Sequence, residues 1–169
     1  MSKFEFPYIW IERKYRTSCD TSSATGIRVT YDKHLDRELV EQTKALVQYL
    51  RKEYYFPIRV NIALTDHRRY HSDQDGHIYY GVFYHNDFVP LSSMPYPQIA
   101  VAAQLWKHMS IDDVLFTLLH ELTHYFQWFF AEEEQRSDRS LELEANRWSR
   151  YILYCFQHQG SVAGDDPAE

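Results

Sequence analysis

The spacing of apolar residues divides the chain into strands, helices and polar connections. Residues 58–64 alternate apolar and polar side chains, which predicts a half-buried strand. Residues 36–54 place apolar side chains at helical spacing between charges, which predicts a helix. Shorter stretches rich in apolar, aromatic or β-branched residues predict further strands at 4–15, 27–31, 78–84 and 99–105. Polar or proline-containing stretches predict connections at 17–26, 67–76 and 86–97.

Two long helices are predicted after the last strand. Ser110 and Asp113 form a capping-box variant at the start of a helix that runs to about residue 130. A charged connector at 132–140 precedes a final helix at 141–157. Because strands come first and long helices last, we expect an α+β fold, in which a short mixed sheet packs on the two C-terminal helices.

The length and composition predict one globular domain. We expect it to span residues 1–158 of the 169, followed by a disordered tail at 159–169. The 18 basic and 24 acidic residues argue against a nucleic-acid-binding surface. No run of 18 apolar residues occurs, so we expect no membrane span. Cys19 and Cys155 share no motif spacing, which predicts reduced thiols in a cytoplasmic protein.

The helix predicted after Ser110 contains the sequence His-Glu-Leu-Thr-His. His120 and His124 are four residues apart, so both imidazoles point to one side of the helix and can hold one Zn²⁺. Glu121 follows the first histidine, where it can reach a water on the metal. Apolar residues cover most of the rest of this helix, and burying the polar cluster without a partner would cost free energy. The pattern therefore predicts a zinc site.

A third protein ligand is expected from the final helix. Glu142 and Glu144 lie on opposite flanks of its apolar stripe, and periodicity alone does not choose between them. Either glutamate could instead stabilise the first turn of the helix through the helix dipole.

The two motifs together resemble those of the gluzincin metallopeptidases. His-Glu-Leu-Thr-His followed by Glu-Leu-Glu-Ala-Asn is most similar to the ImmA/IrrE type, and the resemblance covers about residues 111–154. It implies a small zincin-like domain, in which His120, His124 and Glu142 hold zinc and Asn146 orients a ligand histidine. It also implies a restricted protein substrate, typically a repressor. Thr123 stands where this family often has glycine.

These expectations define a mechanism for a zinc metalloendopeptidase. Zinc with three protein ligands activates a water, and Glu121 acts as the general base. Tyr151, Tyr154 and His158 are candidates for stabilising the oxyanion because they are near the site in sequence. The strands at 78–84 or 99–105 could offer an edge to an extended protein or peptide substrate.

Other interpretations remain open at this stage. The SprT-like group also has this histidine motif, but it is expected to use a third histidine, and none occurs between Tyr125 and Gln157. The chain could instead be a zinc-binding regulatory or interaction protein with little or no general proteolytic activity, or a structural domain with an accidental motif.

A polar loop offers weaker candidates for metal binding. Residues 73–76 resemble a fragment of a calcium loop, although a turn explains them better. Four histidines near this loop could form a second metal site or simply be solvated; they are His67, His71, His77 and His85.

Overall fold

A computed structural model describes residues 9–15, 22–85 and 96–159 of the chain. Several predictions therefore lie outside the described residues: the first part of the strand at 4–15, Cys19, most of the connection at 86–97, and nearly all of the tail. Within the described part, no helix combines the length and the apolar character needed to cross a membrane.

The described residues form an α+β fold, as predicted. The strands are β1 (Ile27–Tyr31), β2 (Val60–Thr65), β3 (Tyr70–His71), β4 (Ile78–Tyr79), β5 (Gly81–Tyr84) and β6 (Gln98–Ala102). The α-helices are α1 (Arg37–Glu53), α2 (Ile111–Phe129) and α3 (Asp138–Gln157). Short 3₁₀-helices occur at Arg13–Tyr15 and Glu132–Glu134.

The main sheet is mixed, with the strand order β1-β2-β6-β5. Strand β2 pairs in parallel with both β1 and β6, whereas β5 runs antiparallel to β6. Strand β6 is therefore an interior strand, and β5 lies at the edge. Among the described residues, no strand pairs with the outer side of β5.

One face of this sheet packs on the helices, and the alternation in β2 shows which face. Val60, Ile62 and Leu64 are buried, while the residues between them are partly exposed. This confirms the half-buried strand predicted there. Helix α2 lies against β5 and β6. The sheet thus places its edge strand directly over α2.

Helix α2 occupies the centre of the core, because apolar residues surround most of it. Leu118, Leu122 and Phe126 are fully buried. Its start agrees with the predicted capping box. The Ser110 Oγ accepts a hydrogen bond from the Asp113 backbone N–H at 3.2 Å, and the Ser110 backbone N–H donates to the Asp113 carboxylate at 2.8 Å. Both bonds satisfy amides that the first turn leaves free.

The strand predicted at 78–84 is two strands that belong to different sheets. Tyr79 pairs with Tyr70 in a two-stranded sheet, whereas Gly81 pairs with Val101 in the main sheet. The break falls at Tyr80, between the stretch that pairs with β3 and the stretch that pairs with β6. The side-chain pattern of a strand does not indicate which other strand it pairs with. Strand β3, which contains Tyr70, also lies within residues 67–76, where only a polar loop was predicted.

The described part of the strand predicted at 4–15 is not a strand. Glu12 forms one isolated bridge with Tyr54, and a 3₁₀-helix follows it. Its apolar pattern arises because Trp10 is buried in the core at 1% exposure, where its ring lies 4.9 Å from that of Phe126. The Trp10 Nε1–H donates to the Thr123 Oγ at 3.1 Å. This segment therefore anchors to α2 through one large side chain.

Helix α3 begins three residues before the predicted start at residue 141. Ser137 caps it, and its side chain accepts a hydrogen bond from the Ser140 backbone N–H at 3.4 Å. The first turn is polar, so apolar spacing does not mark this start.

The anchoring role of Trp10 predicts a loss of stability in Trp10→Phe. We expect the free energy of unfolding in urea to fall by about 1–3 kcal/mol, because the variant loses a buried hydrogen bond and some core volume. Trp106→Phe is the matched control, since the residue is partly exposed and its buried Nε1 has no hydrogen-bond partner among the described residues. Equal losses in both variants would contradict the anchoring role.

Candidate metal centre

Helices α2 and α3 bring three ligand-type side chains to one point. The Nε2 atoms of His120 and His124 are 3.0 Å apart. The carboxylate of Glu142 places one oxygen 3.2 Å from the His120 Nε2 and the other 3.1 Å from the His124 Nε2. In the part of the chain that is described, no other group of three or more histidine, cysteine or acidic side chains is close enough to hold a metal ion.

The two glutamates left open by the sequence have different surroundings. The Glu142 side chain is 55% exposed and faces the two imidazoles. Glu144 is buried at 5% exposure, and its carboxylate contacts the Arg136 guanidinium at 2.7 Å. The structure thus brings to the histidines the glutamate that the resemblance implied, and it directs the other one to an ion pair.

Each histidine also contacts an amide oxygen through its second ring nitrogen. The His120 Nδ1 lies 3.2 Å from the Asn146 Oδ1, and the His124 Nδ1 lies 2.7 Å from the Gln127 Oε1. An amide oxygen only accepts hydrogen bonds, so each ring donates from Nδ1. This leaves the Nε2 lone pairs directed toward Glu142. Sequence reasoning missed Gln127, although a polar residue three positions after a ligand histidine lies on the same helix face.

This arrangement fits a cation. With both rings neutral, two nitrogen lone pairs and a carboxylate face one another at 3.0–3.2 Å, which is repulsive unless a proton or a metal ion lies among them. Burial, followed by the nearby His124, lowers the pKa of His120 and favours its neutral, ligand form even though Glu142 opposes this shift. Imidazole nitrogens and a carboxylate oxygen are a donor set that zinc accepts.

Glu121 lies beside the donors and is itself buried, at 7% exposure. Burial, and then the charge of Glu142, raises the pKa of Glu121 to about 8. A bound cation would shift this pKa back down by favouring the carboxylate. The protonation of Glu121 therefore depends on whether a cation lies among the three donors.

Gly81, at the start of the edge strand β5, lies directly against Glu121. A Cβ atom at this position would be 2.6 Å from a carboxyl oxygen of Glu121 and 2.7 Å from the Thr117 methyl carbon. Such contacts force something to move, so only glycine lets the strand come this close to α2. The role of Gly81 was not predicted, although a glycine inside an aromatic strand often marks a close backbone approach.

Thr123, where the family pattern often has glycine, is directed into the core. It is fully buried, donates to the Leu119 carbonyl at 2.9 Å and accepts from Trp10. Its hydroxyl is therefore engaged within the core and in the attachment of the N-terminal segment.

The three residues predicted to stabilise an oxyanion are not brought to the donors. Tyr151 lies nine residues after Glu142, about 180° around α3, and its ring packs on Trp148. Tyr154 and His158 stack on each other with ring centroids 4.0 Å apart, three or more turns beyond Glu142. Sequence proximity failed here because positions along a helix also differ in direction and height.

The polar loop forms a turn. Asp75 accepts hydrogen bonds from the His77 backbone N–H at 2.9 Å and from the Tyr79 hydroxyl at 2.7 Å. Gly76 has a positive φ of 69°, which suits glycine in a tight turn. His85 lies apart from this turn, stacked on Trp128. Among the described residues, no cluster that could hold a metal ion includes any of the four histidines considered above, which are His67, His71, His77 and His85.

The chain was also compared with known proteins. No protein-family model, curated protein or solved structure matches it. The resemblance to gluzincins therefore remains an expectation that rests on two short motifs.

The close approach of Gly81 to Glu121 predicts an energetic coupling between the two positions. We expect Gly81→Ala to lower the free energy of unfolding by about 1–3 kcal/mol through overpacking. In a Glu121→Ala background the cost should be smaller by at least about 0.5 kcal/mol, because the crowded carboxyl is gone. Urea unfolding of the four proteins measures this. The same cycle with the exposed Glu38→Ala should be additive; additivity with Glu121→Ala would contradict the contact.

Proposed function

We propose that this protein is a zinc-dependent metallopeptidase that cleaves an extended segment of a restricted protein substrate. His120, His124 and Glu142 would hold the metal, and Glu121 would move the proton. The observation that carries the proposal is the convergence of three donors from α2 and α3 beside a buried carboxyl group.

The donor set suits a catalytic rather than a closed structural zinc site. Three protein ligands leave one position of a tetrahedral zinc open, whereas structural sites usually fill all four. When bound, zinc supplies Lewis acidity, which lowers the pKa of a coordinated water to about 7 and polarises a carbonyl. The 55% exposure of Glu142 is consistent with access from solvent to the open side.

Glu121 supplies the proton transfers that peptide hydrolysis requires. Its carboxylate takes a proton from the attacking water and then donates it to the leaving amine. Glu121 is nearly buried, and the charge of Glu142 acts on its carboxyl group, so this group lies within electrostatic reach of the donors. Gly81 leaves the space that this carboxyl group occupies.

The edge of β5 supports an extended peptide as the substrate. Strand β5 pairs with β6 on one side, and its outer side has no strand partner among the described residues. A peptide can add to such an edge through main-chain hydrogen bonds. Because Gly81 of this strand touches Glu121, a peptide at this edge would lie beside the proton-transfer group. Strand β6, the other predicted candidate, is interior and offers no edge.

Metal binding is tested first, with purified protein titrated with Zn²⁺ against a chromophoric chelator. We expect one zinc per chain. Glu142→Ala should weaken the affinity by more than the roughly 10–100-fold typical of losing an outer hydrogen-bond partner. Glu38→Ala, which removes an exposed glutamate on α1, should leave the affinity unchanged. Absence of zinc binding by the wild type would reject the proposal.

Peptide cleavage is tested with a fluorogenic peptide library and the zinc-loaded protein. Glu121→Gln should retain zinc and lose cleavage by about 10²–10⁴-fold, because the amide cannot accept the proton. The Glu38→Gln variant is the control for loss of a carboxylate. Normal turnover by Glu121→Gln would overturn the assigned role, and tight zinc binding without cleavage by the wild type would favour a regulatory zinc protein.

A further inference from the structure

Glu144 is buried and takes part in a polar network that the proposed metal ligands do not explain. Its carboxylate contacts the Arg136 guanidinium at 2.7 Å, and the same guanidinium contacts Glu132 at 3.1 Å. Arg136 also donates to the Ser140 Oγ at 2.8 Å. Removing a carboxylate from water is costly unless its hydrogen bonds are replaced, and a buried ion pair by itself is weak evidence of a stabilising role.

Gln127 joins this ion pair to the metal centre. Gln127 is fully buried on α2, and its Nε2 group donates to the Glu144 carboxylate at 2.9 Å and to the Leu141 carbonyl at 3.0 Å. Both partners can only accept, so the amide cannot rotate by 180° without losing both bonds. Its oxygen must therefore face His124, which it meets at 2.7 Å.

The consequence for His124 is a fixed tautomer. Because the Gln127 oxygen only accepts, the neutral form of His124 carries its proton on Nδ1 and directs its Nε2 lone pair toward His120 and Glu142. A histidine binds a metal only through an unprotonated nitrogen. The contact from Gln127 is also shorter than the 3.2 Å contact from Asn146 to His120.

We propose that Arg136, Glu144 and Gln127 form an orienting network that holds His124 in its metal-binding tautomer and direction. All three are positioning residues that act through His124. The hydrogen bond from Gln127 to Glu144 also links α2 to α3 two residues after Glu142. It therefore helps to hold the ligands of the two helices in position relative to each other. Its role in metal binding rests on the proposed zinc site, whereas its effect on the tautomer does not.

The tautomer is tested in the metal-free protein by ¹⁵N NMR of the histidine rings. We expect wild-type His124 to be protonated on Nδ1, and Gln127→Met to give a mixture of tautomers because methionine has no amide oxygen. Thr43→Val is the matched control, since it removes one buried hydrogen bond within α1. An unchanged tautomer in Gln127→Met would overturn the network.

Measurements of zinc affinity distinguish an orienting role of Glu144 from a direct effect of its charge on the metal. Glu144→Met removes the acceptor for Gln127, and Gln127→Met removes the contact to His124; each should weaken zinc binding by about 10–100-fold. Glu144→Gln keeps an acceptor oxygen and should bind nearly as tightly as the wild type. If the charge of Glu144 acted directly on the metal, Glu144→Gln and Glu144→Met would weaken binding equally, and the network would be wrong.

The losses of zinc affinity in Gln127→Met and Glu144→Met should not add in the double variant. Once Gln127→Met is present, Glu144→Met has no path to His124 and should change zinc affinity no further. If Gln127→Met does not fold, the comparison of Glu144→Met with Glu144→Gln still decides the question. If the wild type binds no zinc, the proposed function fails, and the tautomer measurement still tests the network.

Discussion

The packing of α3 against α2 is the contact on which the candidate metal centre depends. His120 and His124 belong to one helix and Glu142 to the other, so the three donors meet only when the helices hold their relative height and rotation. Ala145 is fully buried between Glu144 and Asn146, both of which contact polar side chains of α2. A small residue there lets the helices approach closely, and the polar contacts on either side oppose sliding. Close packing and directional hydrogen bonds thus act on the same few residues.

The sheet adds a second constraint on α2. Only β5 runs antiparallel in the main sheet, and it begins at Gly81 directly against Glu121. The close approach of β5 to α2 is therefore possible because Gly81 has no side chain. This close contact also contributes to the burial that raises the pKa of Glu121. Gly81 thereby influences both the space available to Glu121, the proposed proton-transfer group, and its protonation.

Sequence pattern was sufficient where local spacing determines structure. It predicted β1, β2, α1 and the capped start of α2, because alternation and helical spacing report burial directly. It did not separate β4 from β5, since their partners Tyr70 and Val101 lie elsewhere in the chain. It did not choose between Glu142 and Glu144, because the choice involves Arg136 in the connector between the helices. Gly81 and Gln127 were missed for the same reason: their surroundings are formed by distant residues.

The polar groups around the candidate metal centre are matched by hydrogen bonds, whereas its three donors face one another. Thr123 is satisfied by Trp10 and Leu119, and Gln127 is satisfied on both sides of its amide. The Nδ1–H groups of both histidines are likewise matched to oxygens. These bonds leave the two Nε2 lone pairs facing each other and a carboxylate, with no donor supplied by any of the three. Three acceptors directed at one point would be balanced by a positive charge, which is either a proton on one imidazole or the metal ion of the proposed site.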